Sequence, residues 1–112
     1  MIAISTHVVT DRTVLTYCVN EWPCGVLTAR SDGDVLVVEH VVTFPSAPVG
    51  TLPRMLQAGL AEAWSRGYES IVFCLPTDGF PLTPALCRIG ERLGFREYAQ
   101  EGALTWFVRY RD

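Results

Sequence analysis

The chain contains no run of basic residues, no C-x-x-C pair and no apolar stretch of bilayer length. Arg54, Arg66, Arg88, Arg92, Arg96, Arg109 and Arg111 are scattered, and the formal net charge is −3. A nucleic-acid binder needs a concentrated positive surface, so that class is excluded. A transmembrane helix needs about 20 consecutive apolar residues, so no membrane span is expected. The opening residues Met-Ile-Ala-Ile-Ser-Thr-His lack the basic region and long apolar segment of a signal peptide, and a cytoplasmic product is expected. The two histidines lie far in sequence from Cys18, Cys24, Cys74 and Cys87, so no zinc-type spacing forms and no metal is expected. Cys18 and Cys24 can face one another across a hairpin, which permits a disulfide, but a reducing cytosol favours free thiols. Cys74 and Cys87 stand among apolar residues and read as small core residues. Repeats, linkers and low-complexity tracts are absent.

What is present suits a single domain spanning residues 1–112. The composition is 49% hydrophobic and 19% charged, which argues against disorder. A chain of this length buries roughly two-thirds of its unfolded surface.

The organising stretch is Asp34 to Gly67. Val35 to Phe44 is rich in β-branched residues and reads as a long strand. Two prolines and a glycine then mark a loop, Pro45 to Thr51. A helix follows, with Thr51 placed to act as N-cap, Pro53 tolerated in the first turn and Gly67 suited to the left-handed position past its end. Leu52, Met55, Leu56, Gly59, Leu60 and Ala63 recur at spacings of three and four and make one buried stripe. Ser70 to Leu75 is an unbroken apolar run, expected as a strand buried on both faces and parallel to its neighbour. Strand, loop, helix and strand then form a right-handed crossover. Ligands with phosphate groups favour the loop entering such a helix, here Pro45 to Arg54.

Upstream, Ile2 to Thr10, Val14 to Asn20 and Cys24 to Ala29 read as strands, with turns at Asp11-Arg12-Thr13, Glu21-Trp22-Pro23 and Arg30 to Gly33. Downstream, Pro76 to Pro81 reads as a loop containing Asp78-Gly79. Thr83 caps a second helix with Pro84 at its first position, and Gly94 ends it. Phe95 to Gln100 and Leu104 to Arg111 make a closing hairpin. The expected class is α/β (α+β): a single mixed, mostly antiparallel sheet of six to seven strands, with two main helices packed on its faces. Trp64, Phe73, Phe95, Trp106 and Phe107 sit at core-like spacings. Trp22 stands at a hairpin tip, either folding onto the sheet or offering a contact to a protein partner.

From about Val14 to Tyr110 the chain resembles the GNAT superfamily of acyl-CoA N-acyltransferases. The likeness rests on "YCVNEWPCGVLTARSDGDVLVVEHVVTFP", on the helix Leu52 to Arg66 ending in "WSRGYESIVF", and on "ALCRIGERLGF" before the closing hairpin. It also resembles short GNAT-like products of tailed bacteriophages, some of them enzymes and some parts of the particle. That would place it in host cytoplasm or on the virion. The helical pair that GNAT members carry between their first two strands is missing, since only Asp11-Arg12-Thr13 stands there. A sheet left uncovered in this way is a candidate surface for a second copy or another partner.

The resemblance implies an acetyl-CoA-dependent N-acetyltransferase, moving an acyl group from a CoA thioester to an amine. The family's Arg/Gln-x-x-Gly-x-Gly/Ala loop binds the pyrophosphate through backbone N–H groups. Here it is replaced by Pro48-Val49-Gly50-Thr51-Leu52-Pro53. Each proline removes a donor, and the Thr51 β-carbon crowds the approach. The amides of Val49, Gly50, Thr51 and Leu52, the helix dipole and Arg54 remain to hold the cofactor. The backbone N–H near Val42 to Phe44 corresponds to the donor that polarises the thioester carbonyl. Glu39 or His40 is placed as general base, directly or through water. Adjacent strand residues face opposite ways, so at most one is expected at the cleft. The plainer reading is an exposed carboxylate and a partly buried histidine on a sheet. Gly90 stands where many members place a tyrosine that protonates the leaving thiolate, and nearby Cys87 reads as core, which leaves that role unassigned. The alternative function is a catalytically silent GNAT-like scaffold for binding or assembly, and fold alone does not choose between them.

Overall fold

The computed structural model describes residues 2–9, 11–76 and 83–112. Its elements are β1 (Ile2–Val9), β2 (Arg12–Val19), β3 (Trp22–Asp32), β4 (Val35–Thr43), α1 (Thr51–Ser65), β5 (Ser70–Pro76), α2 (Thr83–Arg92), β6 (Arg96–Glu101) and β7 (Leu104–Tyr110). The strands form one sheet in the order β1-β2-β3-β4-β5-β7-β6. Every neighbouring pair is antiparallel except β4 and β5, which run parallel. The mixed, mostly antiparallel sheet with two helices is thus observed. The expected loop at Pro76 to Pro81, with its Asp78-Gly79, falls largely on residues outside those described, and so does the side chain of the expected cap Thr83.

Strands β2 and β3 are longer than their apolar cores suggest. The β2–β3 turn is Asn20-Glu21, with φ of 51° and 72°, one residue earlier than the expected Glu21-Trp22-Pro23. Two successive left-handed residues match the right-handed twist of the flanking strands, and asparagine tolerates that region well. Trp22 and Pro23 therefore sit within β3, opposite Val19 and Cys18. Trp22 is 76% exposed and does not fold back onto the sheet. Gly33, at φ 63°, turns β3 into β4. The cysteines are free thiols.

Helix α1 starts differently from expectation. Gly50 is the N-cap, at φ 87° and with no side-chain cap. Thr51 is the first helical residue, and its hydroxyl donates to the Pro48 carbonyl at 2.7 Å. The helix ends as expected, with Gly67 at φ 86°. Gly67 N–H bonds the Trp64 carbonyl and Tyr68 N–H reaches back to Ala63, so the last orphan carbonyls are satisfied. Gly94, at φ 90°, ends α2 in the same way, with Phe95 N–H donating to the Gly90 carbonyl.

Both helices pack on one face of the sheet, rather than one on each. Leu15, Leu27 and Val41 lie opposite one another across β2, β3 and β4, and Ala29 lies opposite Val38. Val38 is level with Phe73 on β5, and Phe73 with Phe107 on β7. Met55 and Gly59 of α1 meet this face at Gly25 and Leu27, and Gly90 of α2 meets it at Phe73. The core of Leu15, Tyr17, Leu27, Ala29, Leu36, Met55, Ala63, Ile71, Leu75, Phe95 and Phe107 lies here. No described helix covers the opposite face, which carries Val35, Val37, Val72, Trp106, Val108 and Tyr110 around a shallow depression. Strand β5 is consequently buried on its helix side at Ile71 and Leu75 but only half-buried at Val72 and Cys74. Phe73 and Trp64 are half-buried, as is Trp106 on the open face.

The seat of α1 depends on Gly25. A β-carbon there would stand 2.7 Å from Met55 Sδ and 2.9 Å from the Val42 carbonyl oxygen. Met55 is fully buried, and the backbone oxygen cannot yield as a side chain would. Gly25→Ala should therefore lose about 1–3 kcal/mol of stability, the usual cost of overpacking. A urea titration showing an unchanged midpoint would mean that α1 rides further from the sheet.

Candidate functional site

The site begins with one extra residue. Thr28 pairs with His40, but the next residue of β3, Ala29, pairs with Val38. Glu39 is thus a β-bulge, and a bulge bends its strand and increases the local twist. The parallel pairing of β4 with β5 stops at this level, with Val38 opposite Phe73. Beyond it, β4 stays with β3 to Thr43, and β5 stays with β7 to Pro76. The sheet opens between them into a cleft of about 410 Å³. Its walls are the diverging strands, Leu52, Leu56 and Leu60 of α1, and Leu86 and Gly90 of α2. A slot of this size and apolar lining suits an elongated small molecule.

Beyond Val38 the backbone of β4 is paired on one side only among the described strands. Phe44 N–H donates to the Cys24 carbonyl at 2.9 Å. By alternation along the strand, Val42 also directs its amide to β3, whereas Val41 and Thr43 direct theirs into the cleft. The donors facing the cleft are therefore one residue removed from Val42 and Phe44, because the bulge shifts the alternation.

The bulge also changes the placement of Glu39 and His40. Glu39 forms an ion pair with Arg12 and a second with Arg30 at 3.8 Å. His40 Nδ1 lies 3.1 Å from Thr28 Oγ1. Arg30 and Thr28 are two residues apart on β3 and share a face, so Glu39 and His40 both project from the open face. The expectation of opposite faces fails because the strand is not regular there. Both residues border the cleft.

At the mouth of the cleft stands the loop into α1. Thr51 N–H bonds the Pro48 carbonyl at 3.2 Å, and Arg54 N–H bonds the Gly50 carbonyl at 3.4 Å. Thr51 is 4% exposed, so its amide is turned inward and leaves the set of outward donors. The amides of Val49, Gly50 and Leu52 have no intrachain acceptor among the described residues. They sit at the positive end of the α1 dipole. Arg54 is exposed on the first turn, and of the four loop amides expected as donors three remain uncommitted among the described residues.

No family model and no curated protein matches the sequence. Solved structures do. A Bacillus subtilis acetyltransferase in complex with CoA superposes with a TM-score of 0.81 at 10% identity, covering 99% of both chains. The fold is that of the GNAT acetyltransferases. A GNAT family acetyltransferase from Elizabethkingia anophelis with acetyl-CoA bound gives 0.79 at 10% identity and covers 98% of each chain. The PaiA N-acetyltransferase of Thermoplasma acidophilum in complex with coenzyme A gives 0.76 at 9% identity. This chain spans 62% of that protein's length. GNAT proteins of this chain's extent therefore exist, and the short β1–β2 connection is compatible with the fold.

Within the GNAT frame, the glycine at position 90 has a local cause. A β-carbon on Gly90 would approach the Phe73 ring to 3.3 Å. Phe73 is held edge-on to Phe95 and stacked on Phe107, at centroid distances of 4.9 and 5.0 Å. A tyrosine at position 90 would require that aromatic cluster to be rebuilt. Cys87 does not border the cleft, whereas Cys74 does. Burial, and then the Glu91 and Glu97 carboxylates, push the Cys87 thiol up from its ordinary value. Burial likewise raises Cys74, so both thiols stay protonated at neutral pH.

The Glu39 pairs join partly exposed groups, with side-chain exposures of 22% for Glu39, 61% for Arg12 and 40% for Arg30. Such pairs are worth little after solvent screening, so Glu39→Gln should cost no more than about 1 kcal/mol in chemical denaturation. A loss of about 3 kcal/mol or more would mark a desolvated pair that holds β2, β3 and β4 together.

Proposed function

We propose that this chain is an acetyl-CoA-dependent N-acetyltransferase. The observation that carries the reading is the parting of β4 from β5 after Val38 and Phe73, with an α-helix N-terminus at the mouth of the resulting slot. The residues present fit the donor molecule. Val49, Gly50 and Leu52 offer amides to a diphosphate, reinforced by the helix dipole and by Arg54. Val41 and Thr43 direct their amides away from β3, toward an extended, amide-bearing arm or a thioester carbonyl. Leu52, Leu56 and Leu60 exclude water from that arm. Bound there, the donor supplies an acyl group activated as a thioester.

The chain's own residues arrange the rest. The helices occupy one face, so the acceptor amine approaches from the open face, where Glu39 and His40 stand. One of them would take the amine proton as the new C–N bond forms and the thioester C–S bond breaks, the departing thiolate taking its proton from solvent. The CoA and acetyl-CoA carried by neighbours of equal extent support donor binding without naming the acceptor.

A second reading keeps the scaffold and discards the chemistry. Pro48 and Pro53 lack N–H groups, and the Thr51 amide is spent on Pro48, so the loop offers fewer donors than a glycine-rich turn. The two readings separate in a melting experiment. Acetyl-CoA at a hundred times its dissociation constant adds about 2.7 kcal/mol, which for a domain of this size raises Tm by roughly 10–20 °C. An unchanged melting curve at millimolar acetyl-CoA would select the silent scaffold.

A further inference from the structure

We propose that β1 is the pairing edge of a homodimer, in which two copies join their sheets antiparallel through β1 about a two-fold axis. The outer strands of the sheet are β1 and β6, and only one of them is protected against such pairing. Strand β6 has six residues, carries Arg96, Glu97 and Glu101, and is broken by a bulge between Glu97 and Ala99. Charge, shortness and bulges are the means by which an edge keeps neighbours away. Strand β1 has none of them. Its eight residues, Ile-Ala-Ile-Ser-Thr-His-Val-Val, include no carboxylate, lysine, arginine or proline, and all eight pair with β2 without a register shift. No described strand pairs with the other side of its backbone.

The side chains point the same way. Ile2, Ile4, Thr6 and Val8 lie opposite Val19, Tyr17, Leu15 and Thr13, and directly opposed residues share a face. On β2 this row is buried at Tyr17, Leu15 and Thr13, whereas on β1 Ile2, Ile4 and Val8 are 51%, 45% and 50% exposed. The apolar face of the sheet thus runs one strand further than its cover. A second copy completes it. A two-fold axis at Ser5 sets Ile2 against the partner's Val8 and Ile4 against the partner's Thr6, so the row meets its own reverse with no like charges opposed. An unrelated peptide would add a strand with a bare edge of its own. The two-fold dimer instead consumes both β1 edges and leaves only β6, already protected, at each end of the joined sheet. The cleft is untouched, because β2 and β3 stand between β1 and β4, and the proposal is independent of the transferase reading.

The test is sedimentation equilibrium of the whole chain across the micromolar range, together with cysteine cross-linking. The expected result is a mass of two chains, which Ile4→Lys halves while leaving the far-UV circular dichroism spectrum unchanged. Ser5→Cys should give a disulfide-linked dimer under mild oxidation, above the level produced by the four native thiols. Opposed Cα atoms of an antiparallel pair stand about 4.5–5.5 Å apart, a distance that a disulfide spans. Val8→Cys, displaced from the axis, should add no cross-link. A native chain that stays monomeric would overturn the proposal and leave the edge to a strand of another protein. A dimer that survives Ile4→Lys, or that cross-links equally through residues 5 and 8, would also overturn it, because the contact would then lie off the proposed axis.

Discussion

The insertion of Glu39 into β4, one residue more than β3 can match, is the constraint on which the rest of the molecule turns. Without it, β4 would keep its alternation past Val38 and could continue its pairing with the parallel neighbour, leaving the sheet unopened at this level. The extra residue bends β4 at the level where its bonds to β5 end. Two half-sheets result, β1–β4 and β5–β7, fused at one end and separated at the other. Unpaired backbone in such a separation is costly unless water or a ligand completes it. The opening is therefore both a structural defect and a preformed set of donors and acceptors.

The helices make the defect useful. Both lie on one side, so the cleft has a dry wall of leucines behind it and, among the described residues, no helix in front. Their close approach is governed by glycines in contact with large side chains: Gly25 beneath Met55, and Gly90 beside Phe73. The second contact also explains a departure from the GNAT pattern, since an aromatic cluster occupies the space that a side chain at position 90 would need. The open face has the opposite character. It carries polar and charged side chains beside the cleft and an aromatic, valine-rich field further along, around Trp106, Val108 and Tyr110.

Much of this was legible in the sequence, for physical reasons that differ by element. Gly67 and Gly94 ended the helices because only glycine adopts their conformation at no cost. The β-branched runs gave the strands, and the crossover from β4 through α1 to β5 followed from their order. The bulge was not legible, because Val-Val-Glu-His-Val-Val reads as an uninterrupted strand and contains neither glycine nor proline to flag an irregularity. The errors at the site descend from it: the faces of Glu39 and His40, and the choice of Val42 and Phe44 over Val41 and Thr43. The Thr51 cap failed for another reason. Gly50 can adopt a left-handed cap by itself, which shifts threonine one position into the helix and spends its hydroxyl on Pro48. That both helices share a face is a tertiary outcome that no local pattern encodes.

The claim at the centre of this account is that the opening between β4 and β5 is a ligand slot rather than a packing flaw. Residue-resolved amide hydrogen exchange, with and without CoA, addresses it directly. In the free protein the Val41 and Thr43 amides should exchange quickly beside slowly exchanging Phe44, and saturating CoA should slow Val41 and Thr43 while leaving strands β6 and β7 unchanged. Exchange at Val41 and Thr43 that is already slow without ligand, or that CoA leaves untouched, would contradict it.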